Sequence, residues 1–168
     1  ECTTSLRTIE KRERVRASHG LRIEPDGRLA DADPDLLLVP GGGWNNRGQP
    51  GAWTEAEAGA IPEAIATLAA EGVTIAGVCT GVMLLARAGI LDGRPAVTHA
   101  SALGDLDAAG AQVREARVVD DGPVVTAGGV TSGLDLAVHI VEREFGSSVA
   151  DSVSREMEYQ RRDRADGA

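Results

Sequence analysis

At 168 residues, with a formal charge of −9, a sequence pI near 4.8 and 42% hydrophobic residues, the chain suits one domain with a real core and is too short for two. Acidity without a compensating basic face argues against a nucleic-acid surface, no apolar run nears the roughly 20 residues of a spanning helix, and the N-terminus has no signal-peptide pattern. Cys2 and Cys79 are the only cysteines, so no disulfide framework is expected and a reducing cytoplasm is the default compartment.

Short β-type runs alternate with helical ones, the pattern of an α/β domain with a mostly parallel sheet. Residues 14–23, RVRASHGLRI, read as two short extended pieces around a Ser18-His19-Gly20 turn. DLLLVPGGG (35–43) is a buried strand running into a glycine-rich loop. The next stretch has Thr54 and Glu57 at capping-box spacing and closes at Gly72, which predicts a helix that Pro62 kinks or whose main body it starts. VTIAGV (73–78) is a strand, GVMLLARAG (81–89) a short helix ending at Gly89, and PAVTH (95–99) another strand. QVREARVV and PVVTAGG flank Asp121-Gly122 as a β-hairpin. Two amphipathic helices follow, over 132–146 and 148–162. The expected organisation is one domain over 1–160 and a charged C-terminal tail over 161–168 that frays.

The sharpest feature is IAGVCTGVMLL (75–85). Ligands in open α/β sheets bind beyond the carboxyl ends of the strands, and Cys79 sits at such an end. The spacing Gly77-x-Cys79-x-Gly81 follows the logic of a nucleophile elbow, in which flanking glycines permit a tight turn that projects the nucleophile outward. A helix start at this point favours the thiolate and makes the sulfur nucleophilic and oxidisable. VPGGG (39–43) offers backbone N–H groups unobstructed by side chains, which with the Thr80 N–H can form an oxyanion hole.

Each of these residues also has a plain structural reading. A free cysteine in an apolar strand is commonly a small core hydrophobe, and here the flanking glycines favour the elbow. His99, at a strand end, either reaches the site or serves the structure. His19 and His139 read as a turn residue and a helix-surface residue. Trp44 and Trp53 either wall a pocket or pack in the core; Gly43 and Trp44 are the candidates for the substrate-pocket wall. No His/Cys/carboxylate cluster has metal-ligand spacing, and GGGWNNRG lacks the Lys-Ser/Thr ending of a phosphate loop, so neither a metal nor another cofactor is expected.

LLLVPGGG (36–43), AGVCTGVMLLARAGILDGRPAVTH (76–99) and VDDGPVVTAGGVTSGLDLAVHIVE (119–142) together resemble the ThiJ/PfpI superfamily, in the right order over about residues 13–160. The resemblance implies a class I glutamine amidotransferase-like, flavodoxin-like fold: a three-layer sandwich. It also implies that Cys79 matches the family's nucleophile or redox cysteine, that Thr80 supplies the following N–H and Gly42 the other oxyanion donor, and that His99 matches a histidine often found near that pocket. Members are commonly homodimers. The Cys-Thr-Gly subgroup is most similar to isonitrile hydratases and to the sensor domain of certain AraC-type regulators.

Two departures qualify what the resemblance implies. Protease-like members place histidine directly after the cysteine, where this chain has Thr80, and that lowers the peptidase reading. Members also begin with a strand and helix carrying an Asp or Glu that hydrogen-bonds the cysteine, whereas the match here starts at the following strand. Roughly one βα unit, about 30 residues, is therefore expected to be missing, and none of Glu1, Glu10 or Glu13 takes the acid's role by position. Loss of that strand exposes apolar area unless a partner covers it. The favoured function is a cysteine-dependent enzyme resembling isonitrile hydratase, acting on a small molecule, because no helix-turn-helix segment follows within the 168 residues. The alternative is a non-catalytic ligand-binding or redox-sensing module. Without the upstream acid, weak or absent hydratase activity is expected of the 168-residue chain.

Overall fold

A computed structural model describes residues 2–17, 20–47 and 49–162 and the backbone of 166–167. The chain folds as two compact units, Glu1–Asp35 and Leu36–Ala168. In the first unit, β1 (Arg7–Thr8) pairs in parallel with β4 (Gly27–Arg28), and β2 (Val15–Arg16) pairs antiparallel with β3 (Arg22–Ile23). The two extended pieces read from 14–23 are thus hydrogen-bonded to each other; Ser18 and His19 of the expected turn lie outside the described residues. Asp26 ties the unit's two ends, its carboxylate accepting the Leu6 N–H at 2.7 Å.

The second unit carries a five-stranded sheet in the order β11-β9-β10-β6-β5. Its strands are β5 (Leu36–Val39), β6 (Thr74–Val78), β9 (Val118–Asp121), β10 (Val124–Ala127) and β11 (Asp166–Gly167). β5, β6 and β10 run parallel, β9 is antiparallel to β10, and β11 is parallel to β9. A separate parallel pair joins β7 (Pro95–Ala96) to β8 (Gln112–Val113). The helices are α1 (Ala52–Ala58), α2 (Ala60–Ala70), α3 (Val82–Arg87), α4 (Leu103–Ala108), α5 (Ser132–Phe145) and α6 (Ser147–Glu156).

Strands buried on both faces explain why these runs are apolar without alternating. Ile75 and Val124 belong to one core cluster with Ile65, Leu85 and Leu106 from the helices. Their neighbours Ala76 and Val125 point the other way, into a second cluster with Leu136 of α5. The result is the expected flavodoxin-like three-layer α/β sandwich with a mostly parallel sheet and a hairpin. Gly77 faces the first cluster, where an added Cβ would lie 3.0 Å from Leu85 Cδ2, so the missing side chain lets α3 sit close on β6. β5 ends the sheet, with Leu38 48% exposed. No helix among the described residues is long and apolar enough to cross a membrane.

Several element boundaries differ from the sequence reading, each for a physical reason. The long helix of 54–71 breaks at Gly59, whose φ of 83° lies in the left-handed region, and not at Pro62. Pro62 falls in the first turn of α2, where its missing N–H costs nothing. Thr54 lies inside the first turn of α1, and its hydroxyl accepts the Gly51 N–H at 3.0 Å. The strand expected over 95–99 stops after Ala96, because the Val97 N–H turns to the Thr126 hydroxyl at 3.1 Å. In the hairpin Asp121 pairs with Val124, which makes Gly122-Pro123 the turn. The last helix ends at Glu156, before Glu158 adopts a φ of 50°.

Beyond α6 the chain is tied back onto the domain. His139, read as a helix-surface residue, is largely buried, with Nε2 2.6 Å from Asp120 Oδ2, while Arg161 bonds Glu142 and reaches His139 Nδ1 at 3.2 Å. Asp135, fully buried, accepts from Arg117 Nε (2.6 Å), from the Tyr159 hydroxyl (2.9 Å) and from the Arg162 N–H (3.3 Å). Burial alone would raise this carboxyl, but the Arg117, Tyr159 and Arg162 donors together hold it below its ordinary value. A depressed folded value means that its contribution to stability is present above the unfolded aspartate value of about 3.9 and is lost as pH falls through the folded one. Chemical denaturation across pH is expected to show a shallower acid-side loss of stability in Asp135→Asn than in the wild type, with the two curves differing most above about pH 4.

Candidate active site at the end of β6

β6 ends at Val78, and Cys79 opens a single 3-10 turn (Cys79–Gly81) that leads into α3. Cys79 has a φ of 57°, a left-handed conformation that a non-glycine residue adopts at a cost of about 1–3 kcal/mol. Two long-range bonds hold it there. Its N–H donates to the Gly128 carbonyl at 3.0 Å, and its carbonyl accepts the Thr98 hydroxyl at 2.7 Å. Thr98 is itself buried. Cys79 is partly exposed and Cys2 exposed, and among the described residues none hydrogen-bonds the Cys79 sulfur.

The glycine loop after β5 presses against this elbow. A Cβ on Gly81 would lie 2.3 Å from the Val39 carbonyl oxygen, and one on Gly41 would lie 2.6 Å from the Thr80 nitrogen. Side chains at either position are therefore incompatible with the packing. This approach brings the Gly42 N–H to the Thr80 hydroxyl, which accepts it at 2.9 Å. Of the two backbone donors expected to form an oxyanion hole, the Gly42 N–H is thus engaged by the Thr80 side chain in this structure. The Gly42 and Gly43 carbonyls turn the other way and accept the Ala52 and Trp53 N–H groups at the start of α1.

Trp44, for which pocket wall and core are both readable from the sequence, is 7% exposed within the larger core cluster, and its indole N–H donates to Asp105 Oδ2 at 2.6 Å. It meets Trp53 edge-on at 4.9 Å, and Arg47 lies 4.0 Å over the Trp53 ring. This cluster bridges the glycine loop to α4. His99 starts the turn before α4, its Nδ1 accepting the Ser101 N–H at 3.1 Å, which leaves Nε2 to carry the proton of the neutral ring. Gly129 packs on that ring, where an added Cβ would be 2.6 Å from Cδ2.

Thr80, next to Cys79 in the chain, is thus bonded to Gly42, and His99 is placed against the loop that accepts the Cys79 amide. Gly43 and Trp44 serve to hold the glycine loop. Sequence reasoning missed Thr98 and Gly128. A hydroxyl residue at the end of an apolar strand, next to His99, was the available signal for the first; nothing in the local sequence marked the second. Gly81→Ala is expected to lower stability by about 1–3 kcal/mol, the usual cost of forcing atoms into a packed site, measured by the shift in urea midpoint at unchanged slope.

The parallel sheet, the glycine-flanked strained cysteine at a strand's carboxyl end and the glycine loop beside it define a flavodoxin-like α/β protein with a cysteine on a tight strand-to-helix turn. The chain belongs to the DJ-1/PfpI family, whose model matches residues 2–143. It is 33% identical over 146 residues to an isonitrile hydratase of Pseudomonas putida, covering 86% of this chain and 61% of that protein. It is also 33% identical over 145 residues to the HTH-type transcriptional regulator CdhR of Pseudomonas aeruginosa, covering 84% and 41%. Among solved structures, a THiJ/PfpI family protein from Pseudomonas syringae superposes with a TM-score of 0.78 at 29% identity, covering 92% of this chain and 61% of that one. The chain therefore spans less than two thirds of the length of each of these relatives.

Proposed function

We propose that the Cys79 site belongs to a cysteine-dependent enzyme acting on a small polarised carbon, and that isonitrile hydration is the reaction it fits best. The observation that carries this reading is the strained Cys79 backbone, clamped at both its N–H and its carbonyl, since strain of this kind persists where the surrounding structure over-determines it for a task. The 33% identity to an isonitrile hydratase supports an isonitrile as the substrate class.

In the proposed reaction the thiol adds across the terminal carbon of R–NC. The sulfur forms the new C–S bond, and the thiol proton ends on the same carbon, giving the thioimidate R–N=CH–S–Cys79. Water then adds to that carbon, the C–S bond breaks, and the products are R–NH–CHO and the regenerated thiol. Thr80, through its own N–H and its hydroxyl proton, is the polar group next to the nucleophile, and Gly42 keeps the hydroxyl oxygen oriented. His99 has Nε2 free of the Ser101 bond and is the candidate for moving protons to and from water. In this reading the protein acts as a cytoplasmic homodimer on a small molecule without a cofactor.

A second reading, a ligand-binding or redox-sensing module, draws support from one structural fact and one likeness. No described residue hydrogen-bonds the sulfur, and a transcriptional regulator is as similar to this chain as the hydratase is. Two experiments separate the readings. Limiting iodoacetamide followed by peptide mass analysis is expected to label Cys79 well ahead of the more exposed Cys2; preferential labelling of Cys2 removes the basis for an activated thiol. Formamide release from small isonitriles is to be measured for the 168-residue chain and for a form carrying the family's upstream acid, with Cys79→Ser in each. The longer form is expected to turn over with complete dependence on Cys79, and the shorter one weakly or not at all. Inactivity of both on isonitriles, amides and reactive carbonyls favours the sensing module.

A further inference from the structure

The Gly128 carbonyl that accepts the Cys79 N–H belongs to a short loop, 128–131, between β10 and α5. Gly129 of the same loop packs on the His99 ring. Val130 follows with a φ of 34° and 78% of its surface exposed. A β-branched residue in that region is strained, and an exposed side chain has no packing to offset it, so the loop's own bonds must hold it.

The Gly129, Val130 and Thr131 carbonyls bond the first N–H groups of α5, and the ties of the loop back to the end of β9 come from Arg117. Its carbonyl accepts the Gly128 N–H at 3.0 Å, and its guanidinium donates to the Thr131 hydroxyl at 3.0 Å, so one residue grips the loop on both sides of Val130. Arg117 is in turn aligned by Asp135, which binds its Nε at 2.6 Å. The other Asp135 oxygen is taken by Tyr159 and by the Arg162 N–H, both beyond the end of α6. We infer that Tyr159, Asp135 and Arg117 are positioning residues for the reactive cysteine, a relay by which the chain segment after α6 holds the strained 128–131 loop and, through Gly128, the Cys79 amide. The functional meaning of this relay rests on the reading of Cys79 as the reacting residue; the geometry does not.

The relay makes a prediction about one amide. Local opening of the loop frees the Cys79 N–H to exchange, while the β6 ladder stays closed. In Tyr159→Phe, which keeps the ring and removes only the hydroxyl, NMR hydrogen exchange at the Cys79 amide is expected to be at least about fivefold faster than in the wild type, with the Ile75, Ala76 and Gly77 amides unchanged. Val130→Gly removes the strain that the relay opposes, so in that background the effect of Tyr159→Phe is expected to shrink to under about twofold. Asp135→Asn provides a second break in the same chain where it folds. A Cys79 exchange rate within about twofold of wild type in Tyr159→Phe overturns the relay, as does equal acceleration of the β6 amides, or an undiminished effect in the Val130→Gly background. If Cys79-dependent formamide release is found, Tyr159→Phe is expected to lower kcat with little change in KM. If no turnover is found at all, the exchange measurement still decides the relay.

Discussion

The site depends on one cysteine held in a backbone conformation that it would not adopt unaided. Cys79 has a φ of 57°, its N–H bonded to Gly128 and its carbonyl to the Thr98 hydroxyl. Neither partner is near it in sequence, so the conformation exists only when the sheet is assembled. The parallel arrangement of β5, β6 and β10 supplies that assembly: it brings the carboxyl ends of three strands to one edge, where Pro40–Gly43, Cys79–Gly81 and Gly128–Gly129 follow. Thr98 and His99 arrive from the segment after β7, which leaves its strand when Val97 turns to Thr126. The end of β7 that departs from the strand pattern is thus what delivers the hydroxyl to the cysteine carbonyl.

Much of this was legible in the sequence because it is written locally. Apolar runs ending in glycine report buried strands at their functional ends, and Gly77-x-Cys79-x-Gly81 reports a turn that side chains would obstruct. The contact of a Gly81 Cβ with the Val39 carbonyl gives that reading its steric basis. Where local signals competed, the ranking could not be read off. Gly59 and Pro62 both interrupt a helical pattern, and the glycine ends α1 because its positive φ reverses the chain, while the proline is tolerated in the next helix's first turn. The polar ties were not legible at all. Arg117 lies in QVREARVV, which reads as one arm of the hairpin, whereas residues 114–117 leave the strand, and Asp135 and His139 sit on a helix with charged neighbours. Their burial and mutual bonds follow from how β9, α5 and the segment after α6 meet.

The same distinction separates the two halves of the candidate site. The resemblance to ThiJ/PfpI proteins implied Cys79, Thr80, Gly42 and His99, and the fold bonds Gly42 to Thr80, the residue after Cys79. Which groups the hydrogens go to is a matter of side-chain rotamer and loop approach. Thr80 has a hydroxyl within reach of the loop only because Gly41 lets that loop lie flat on the elbow. His99 likewise was placed by position, but its Nδ1 is spent on Ser101, so its chemistry is limited to the opposite face of the ring.

The bond from Gly42 to Thr80 also bears on which electrophile the site suits. An oxyanion hole works because its donors are held open and aimed at charge that appears only in the transition state. A donor that already has a partner gains only the difference between two bonds, and the hydroxyl oxygen must leave before an oxyanion can enter. That penalises amide or ester cleavage, whose first step creates a full negative charge on oxygen. Thiol addition to an isonitrile creates none: the new bonds are to carbon, and the carbonyl oxygen of the formamide is introduced later by water. Under the proposed reading, a site with its Gly42 amide satisfied and a Thr80 hydroxyl hydrogen to spare suits addition at an isonitrile carbon better than acyl transfer. The engaged Gly42 amide therefore supports, within the proposed reading, a reaction whose first step does not need that donor.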